Sequence, residues 1–136
     1  MIEKRAFSAS DILTMDYYDK TERDWYSASI NQFAKPNATF LRCGKVVACG
    51  GFVIKYPGFA EAWLFLSRCA GSTVVEVRRQ MDQWFEEYRL VRLQAVTLAS
   101  WAKGERFLEW LGMDFEGVLR KSSVDGKDQC MYARVR

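Results

Sequence analysis

The stretch that decides the fold is Ala62–Tyr88, AWLFLSRCAGSTVVEVRRQMDQWFEEY. It opens on an apolar run, Ala62 to Leu66, breaks at a short polar loop holding Gly71, and resumes with one apolar face. Val74, Val77, Met81, Trp84, Phe85 and Tyr88 form a single stripe at helical periodicity. Thr73-x-x-Glu76 reads as a capping box with Thr73 as the N-cap. A strand that ends in a glycine-bearing loop and runs into a helix can hold an anion, typically a phosphate. The loop amides and the positive end of the helix point the same way. The same residues would also suit a helix that is simply well capped, and the stretch alone leaves both readings open.

Going back along the chain, Pro57-Gly58 turns into that strand, and Val46 to Tyr56 precedes it as another. Gly50-Gly51 in its middle predicts a bulge or a close backbone approach. Ala38 to Cys43 reads as a strand joined to it by a turn at Gly44-Lys45, which makes an antiparallel meander. Pro36 and Asn37 end a helix over about 22–34, whose Trp25, Tyr26, Ser29, Ile30 and Phe33 share one face. These aromatics suit either a core or a pocket wall. A first strand within 1–7 and a helix over about 10–20, with N-caps between Ser8 and Asp11, complete the N-terminal part. Ile12 and Met15 face inward there.

Going forward, Leu90 to Ala99 is apolar on both faces and predicts an interior strand, closing a βαβ unit with a parallel pair. Ser100 can cap a helix over about 101–111, buried through Phe107, Leu108 and Leu111, with Gly112 as its left-handed C′ residue. Phe115 to Lys121 and Lys127 to Val135 form a hairpin around Asp125-Gly126, a type I′ signal. The whole is α+β: a mixed, mostly antiparallel twisted sheet with helices on both faces, in the order β-α-α-β-β-β-α-β-α-β-β. With 136 residues and no linker or repeat, 1–136 reads as a single domain.

Composition narrows the function. A net charge of +3 from 20 basic and 17 acidic residues, mixed along the chain, gives no nucleic-acid signature. No apolar run approaches the ~20 residues of a membrane span. The start, MIEKRAFSASD, carries charges where a signal peptide needs an apolar core, so a cytoplasmic protein is expected. Cys43, Cys49, Cys69 and Cys130 lack metal-site spacing, and there is no histidine, so no metal is expected. Without histidine, acid-base chemistry falls to Glu, Asp, Tyr, Cys or water.

In its order of elements the chain resembles the GNAT-superfamily N-acetyltransferases. The opening I-E-K-R-A-F-S-A-S-D, the hairpin G-K-V-V-A-C-G-G-F and the closing E-R-F-L-E-W-L-G-M-D-F-E-G resemble the family's first strand and helix, its second and third strands, and its last helix and strand. Its diagnostic motif, Q/R-x-x-G-x-G/A, falls on Arg68-Cys69-Ala70-Gly71-Ser72-Thr73, where Arg68 and Gly71 match and Thr73 departs.

The resemblance implies acetyl-CoA as cofactor, its pyrophosphate held by the loop from Leu66 and Ser67 through Arg68, Cys69, Ala70, Gly71, Ser72 and Thr73. It implies transfer of the acetyl group to an amine of a small molecule or protein, in a cleft where the fourth and fifth strands splay apart. A backbone N–H near Leu66 would face the oxyanion. Glu61 takes the place of the family's general base, although a surface carboxylate would look the same. Ser100 stands where the family contacts the pantetheine arm, or is only an N-cap. Trp25 and Tyr26 would shape the acceptor pocket. The family's tyrosine acid aligns with Leu108, which cannot give a proton; Cys69, Cys130, Tyr132 or solvent would have to substitute. A homodimer is compatible with the resemblance, and neither nucleic acid nor membrane is expected as a partner. The tail segment also resembles small bacteriophage GNAT-like proteins, so the alternative is a catalytically weak or inactive protein that binds a host or virion partner.

Overall fold

A computed structural model describes residues 2–15, 35–68 and 70–136. Their elements run β1 (Ile2–Arg5), α1 (Asp11–Thr14), β2 (Asn37–Arg42), β3 (Lys45–Tyr56), β4 (Phe59–Leu66), α2 (Thr73–Glu87), β5 (Arg92–Leu98), α3 (Ala102–Trp110), β6 (Asp114–Leu119) and β7 (Gln129–Val135). The expected helix over 22–34, with Trp25 and Tyr26, lies outside the described residues, as does Cys69. The described strands lie in the order β1-β2-β3-β4-β5-β7-β6. β1–β2, β2–β3, β5–β7 and β6–β7 pair antiparallel, and β4–β5 is parallel. The α+β class, the meander and the βαβ crossover are as the sequence predicts. Among the described residues no helix is long and apolar enough to cross a membrane.

The chain divides into two compact units, Met1–Val53 with Ala62–Glu87, and Ile54–Glu61 with Tyr88–Arg136. In the first unit, alternation along the strands separates two clusters. Ile12 and Met15 of α1 pack with Cys49, Trp63 and Phe65. Val77 of α2 packs with Ala38, Phe40 and Ala48, with Leu64, Leu66 and Trp84 against them. Cys49 and Ala48 are neighbours in sequence and fall in different clusters, as the period of two requires. The α2 stripe is buried at Val77, Met81 and Phe85, as its spacing predicts, whereas Tyr88, expected on the same stripe, falls past the helix end and is exposed.

The β2–β3 turn consists of Cys43 and Gly44, both left-handed with φ of 51° and 77°. It joins Arg42 directly to Lys45 across the ladder. Two such residues make a type I′ turn, whose twist matches the strands; the sequence placed this turn one residue later. Gly50 and Gly51 are close approaches, one of the two readings their position allowed. The bulge lies elsewhere: the register slips between Phe40 and Leu41, leaving Val47 as the extra residue. A Cβ on Gly50 would stand 2.8 Å from the Trp63 carbonyl oxygen, and one on Gly51 2.3 Å from that of Pro36.

In the second unit, β5 buries Leu93, Ala95 and Thr97 fully, while its other face is half-buried rather than fully covered. Helix α3 comes close to β5 because Gly104 has no side chain: a Cβ there would meet Thr97 Oγ1 at 2.3 Å. The helix closes as predicted at Gly112, φ 89°. The Gly112 N–H donates to Glu109 and the Met113 N–H to Leu108, a Schellman pair. The β6–β7 hairpin departs from expectation. Its strands stop at Leu119 and resume at Gln129, and Asp125 is not left-handed. The Asp125-Gly126 turn is therefore the tip of a longer loop, where the Gly126 N–H donates to the Ser123 carbonyl at 3.0 Å.

Candidate active site

The polar loop between β4 and α2 belongs to the first unit, and its local hydrogen bonds decide what it can hold. The Ser67 N–H donates to the Val47 carbonyl at 2.9 Å, pinning the loop entry to the bulge of β3. The Ala70 N–H donates to Ser67 at 3.1 Å and the Thr73 N–H to Ala70 at 3.0 Å, which winds the loop tightly into the helix. Among the described residues, the N–H groups of Gly71, Ser72 and Val74 donate to no backbone carbonyl. They stand at the start of a helix running Thr73–Glu87, where the peptide dipoles leave partial positive charge. Gly71 has φ of 54° and is exposed. Its bare Cα lets another group come against the loop, and here that group is Arg42 from the end of β2. Arg42 Nη1 lies 2.4 Å from where a Cβ would stand.

Thr73 is not the N-cap. It is the first helical residue, fully buried, and its Oγ1 has no hydrogen-bond partner. Glu76 does not reach back either; its carboxylate pairs with Arg79 at 2.6 Å. The capping box is therefore not formed. The reason is the tight winding before the helix, which turns Thr73 inward and commits its amide to Ala70. A well-capped helix was the competing reading of this loop, and it lacks the contacts it needs.

These features fit a phosphate. The loop has amides with no acceptor among the described backbone carbonyls, a bare glycine backbone, an orphaned buried hydroxyl and a nearby guanidinium. The donor set differs from the sequence's expectation. The Ser67, Ala70 and Thr73 amides are committed to the Val47, Ser67 and Ala70 carbonyls, and Val74, which the motif does not include, joins Gly71 and Ser72. Periodicity marked Val74 only as part of the apolar stripe, so no local signal could have found it.

The β4 strand leads to this loop. Its ladder with β5 covers only Phe59–Arg92, Ala60–Leu93 and Glu61–Gln94, although β4 continues to Leu66 and β5 to Leu98. Successive N–H groups along a strand leave on opposite edges. Because the Ser67 N–H points to β3, the Leu66 N–H leaves on the other edge. Leu66 itself is half-buried on the α2 side.

Glu61 shares its strand parity with Trp63 and Phe65, as predicted. Its carboxylate is half-exposed and pairs with Lys55 at 3.4 Å. Ser100 does not cap α3. Trp101 holds the cap position with no side-chain hydrogen bond, and Ser100 is exposed in the preceding turn. Glu61 and Ser100 belong to the second unit, Leu66 to Thr73 to the first.

Of the proton donors expected in place of a tyrosine, Cys69 lies outside the described residues, and Tyr132 and Cys130 are tied down. Tyr132 is buried, and its hydroxyl donates to Glu105 Oε1 at 3.1 Å. Burial, then the Glu105 hydrogen bond, push its pKa up to about 12. The Cys130 thiol is pushed up by burial and by Glu105. Leu108 is buried and stands at the C3 position of the Schellman pair with Met113, a packing role that a leucine fills and a hydroxyl would disturb.

A cavity of about 100 Å³ lies elsewhere, lined by Lys4, Phe40, Glu76, Arg79 and Gln80 among others, with the Lys4 ammonium donating to Gln80. It is smaller than the roughly 300–1,000 Å³ typical of small-molecule sites and shares only Glu76 with the first turn of α2.

Comparison of the sequence with protein-family models and with curated proteins gives no match. Solved structures do match, over nearly the whole chain. Ard1 from Thermoplasma volcanium aligns with a TM-score of 0.74 at 14% identity, covering 98% of this chain and 97% of its own. An acetyltransferase of the GNAT family from Bacillus anthracis aligns at 0.72 and 17%, covering 98% and 94%. The ribosomal-protein-S18-alanine N-acetyltransferase from Escherichia coli aligns at 0.69 and 16%, covering 98% and 92%. This chain has the GNAT fold. At such identities the likeness is one of architecture.

Proposed function

We propose that the protein is an acetyl-CoA-dependent N-acetyltransferase acting on an amine. The observation that carries this reading is the loop before α2: the Gly71, Ser72 and Val74 amides, an exposed glycine backbone, and the positive end of a 15-residue helix. In a GNAT fold these groups suit the cofactor's diphosphate. When bound, acetyl-CoA supplies an acyl group already activated as a thioester.

The chain's own residues then have distinct tasks. The Gly71, Ser72 and Val74 amides hold the diphosphate and so fix how far the cofactor reaches. The Leu66 N–H, leaving β4 on the edge opposite β3, donates to the acyl oxygen as negative charge develops there. Glu61, whose carboxylate pairs with Lys55 at 3.4 Å, accepts the amine's proton, directly or through a water. Tyr132 and Cys130, buried against Glu105, would not supply a proton to the thiolate that departs, which would leave that task to solvent or Cys69. The chemistry then rests on positioning more than on acid catalysis. Trp25 and Tyr26 remain the candidate acceptor wall, and the acceptor is an amine of a small molecule or a protein.

Calorimetric titration with acetyl-CoA tests the reading: saturable heat and a raised melting temperature are expected. No heat and no thermal shift at millimolar cofactor would overturn it. One observation favours a second reading, a GNAT-fold protein that binds a partner without catalysis: Leu108 is buried packing where a proton donor would stand. Cofactor binding without acetyl transfer to any of a panel of polyamines and peptide N-termini would favour that reading.

A further inference from the structure

Three arginines among the described residues pair with carboxylates. Arg5 pairs with Asp11, Arg79 with Glu76 and Arg92 with Glu116, each at 2.6 Å. Arg42 differs. It is exposed at the end of β2, just before the Cys43-Gly44 turn, and no described carboxylate or carbonyl accepts from its guanidinium. Its guanidinium instead lies against Gly71, with Nη1 at 2.4 Å and Cζ at 3.5 Å from the Cβ position.

That placement puts a cation beside the positive end of α2. Two positive groups so close repel unless an anion lies between them. The neighbouring Thr73 Oγ1, fully buried and without a hydrogen-bond partner, is a second group in the same loop with no acceptor among the described atoms. The loop motif Arg68 to Thr73 does not contain Arg42; only the β2–β3 hairpin brings it there.

We infer that Arg42 grips the cofactor's diphosphate from the β2–β3 turn, closing over the Gly71, Ser72 and Val74 amides. The inference rests on the cofactor reading above and deepens it. A planar guanidinium presents two parallel N–H groups to two phosphate oxygens, which an ammonium cannot reproduce.

The test is calorimetric titration of the full chain with acetyl-CoA and with dephospho-CoA. The variants are Arg42→Ala, Arg42→Lys and, as a charge-matched control remote from the loop, Lys127→Ala. Arg42→Ala is expected to weaken acetyl-CoA binding on the order of 10- to 100-fold. Arg42→Lys should recover part of that loss, and Lys127→Ala should bind as wild type. The melting temperature without ligand should be the same in the wild type and the two Arg42 variants, because Arg42 has no partner among the described residues to lose. Arg42→Ala should lose the same factor with dephospho-CoA. If that loss disappears with dephospho-CoA, Arg42 serves the 3′-phosphate and the diphosphate assignment is overturned. Wild-type affinity in Arg42→Ala overturns the inference while leaving the cofactor reading intact, and tighter binding would make Arg42 a plug rather than a clamp. Failure of the wild type to bind overturns the cofactor reading itself.

Discussion

Two places in the first unit gather donors around a negative charge, and they differ in where the charge comes from. At α1, the Asp11 carboxylate is supplied by the chain. Arg5 donates to it with two nitrogens at 2.9 and 2.6 Å, Thr39 Oγ1 at 2.7 Å and the Ser8 N–H at 2.9 Å. Burial pushes the Asp11 pKa up, yet the hydrogen bonds from Arg5, Thr39 and Ser8 outweigh this and hold it below the ordinary carboxylate range. At the start of α2, the Gly71, Ser72 and Val74 amides and Arg42 are assembled without a carboxylate from the described residues; Glu76 turns away to Arg79. The first arrangement is closed and serves stability. The second is open, and in the proposed function it serves a ligand. A buried donor cluster that the chain completes is architecture, whereas one it leaves incomplete points outward.

The largest effect expected comes from erasing the difference. Gly71→Glu places a carboxylate beside Arg42 and so gives the open cluster an internal anion. Acetyl-CoA binding should be lost altogether in calorimetry. The folded state should lose only about 1–2 kcal/mol, from forcing a side chain into the left-handed region. Unchanged affinity would show that the anion site is not at this loop. Opening the closed cluster is the converse. Asp11→Ala leaves Arg5, Thr39 and Ser8 without their acceptor and should cost about 3 kcal/mol in urea unfolding. The affinity of the folded fraction for acetyl-CoA should stay as it was. A loss below about 1 kcal/mol would mean that the network contributes little.

The same pair separates under acid. The Asp11 pKa is lowered on folding, so its contribution is complete above the unfolded value of about 4. It is lost as the pH falls through the lower, folded value. The wild type should therefore lose stability on going below about pH 4 more steeply than Asp11→Asn, read as urea midpoints at pH 7 and pH 3. Parallel curves would remove Asp11 from the account. The smallest effect is at Thr73. Since its hydroxyl has no partner, Thr73→Val should leave the unfolding free energy unchanged or raise it slightly, by up to about 1 kcal/mol in urea unfolding. A clear destabilisation would restore Thr73 as a cap.

Much of the fold was legible because it is local. The α2 stripe from Val77 to Phe85, the Gly112 stop and the apolar β4 run each depend on neighbours within a few residues. Locating the loop as Arg68 to Thr73 needed no more than that, together with a resemblance in the order of elements. What escaped was the pairing detail. Asp125-Gly126 reads as a tight hairpin turn, but the β6–β7 register leaves it at the tip of a longer loop. Cys43-Gly44 carries the two left-handed residues instead, against the ordinary preference for Asn or Asp at the first position. Thr73 satisfied a capping pattern, but the tight turn from Ser67 to Thr73 buries its hydroxyl.

By itself, the sequence determined the succession of strands and helices and the anion-ready start of α2, since periodicity, glycine and helix polarity act within a single stretch. The tertiary structure alone decided which donors share a site. Asp11 meets Thr39 across 28 positions of chain. Arg42 reaches Gly71 only because β2 ends beside the loop that follows β4. Gly104 lets α3 settle on Thr97 only because β5 lies beneath it. Such meetings depend on register and strand order, which bring distant residues together and which no local pattern encodes.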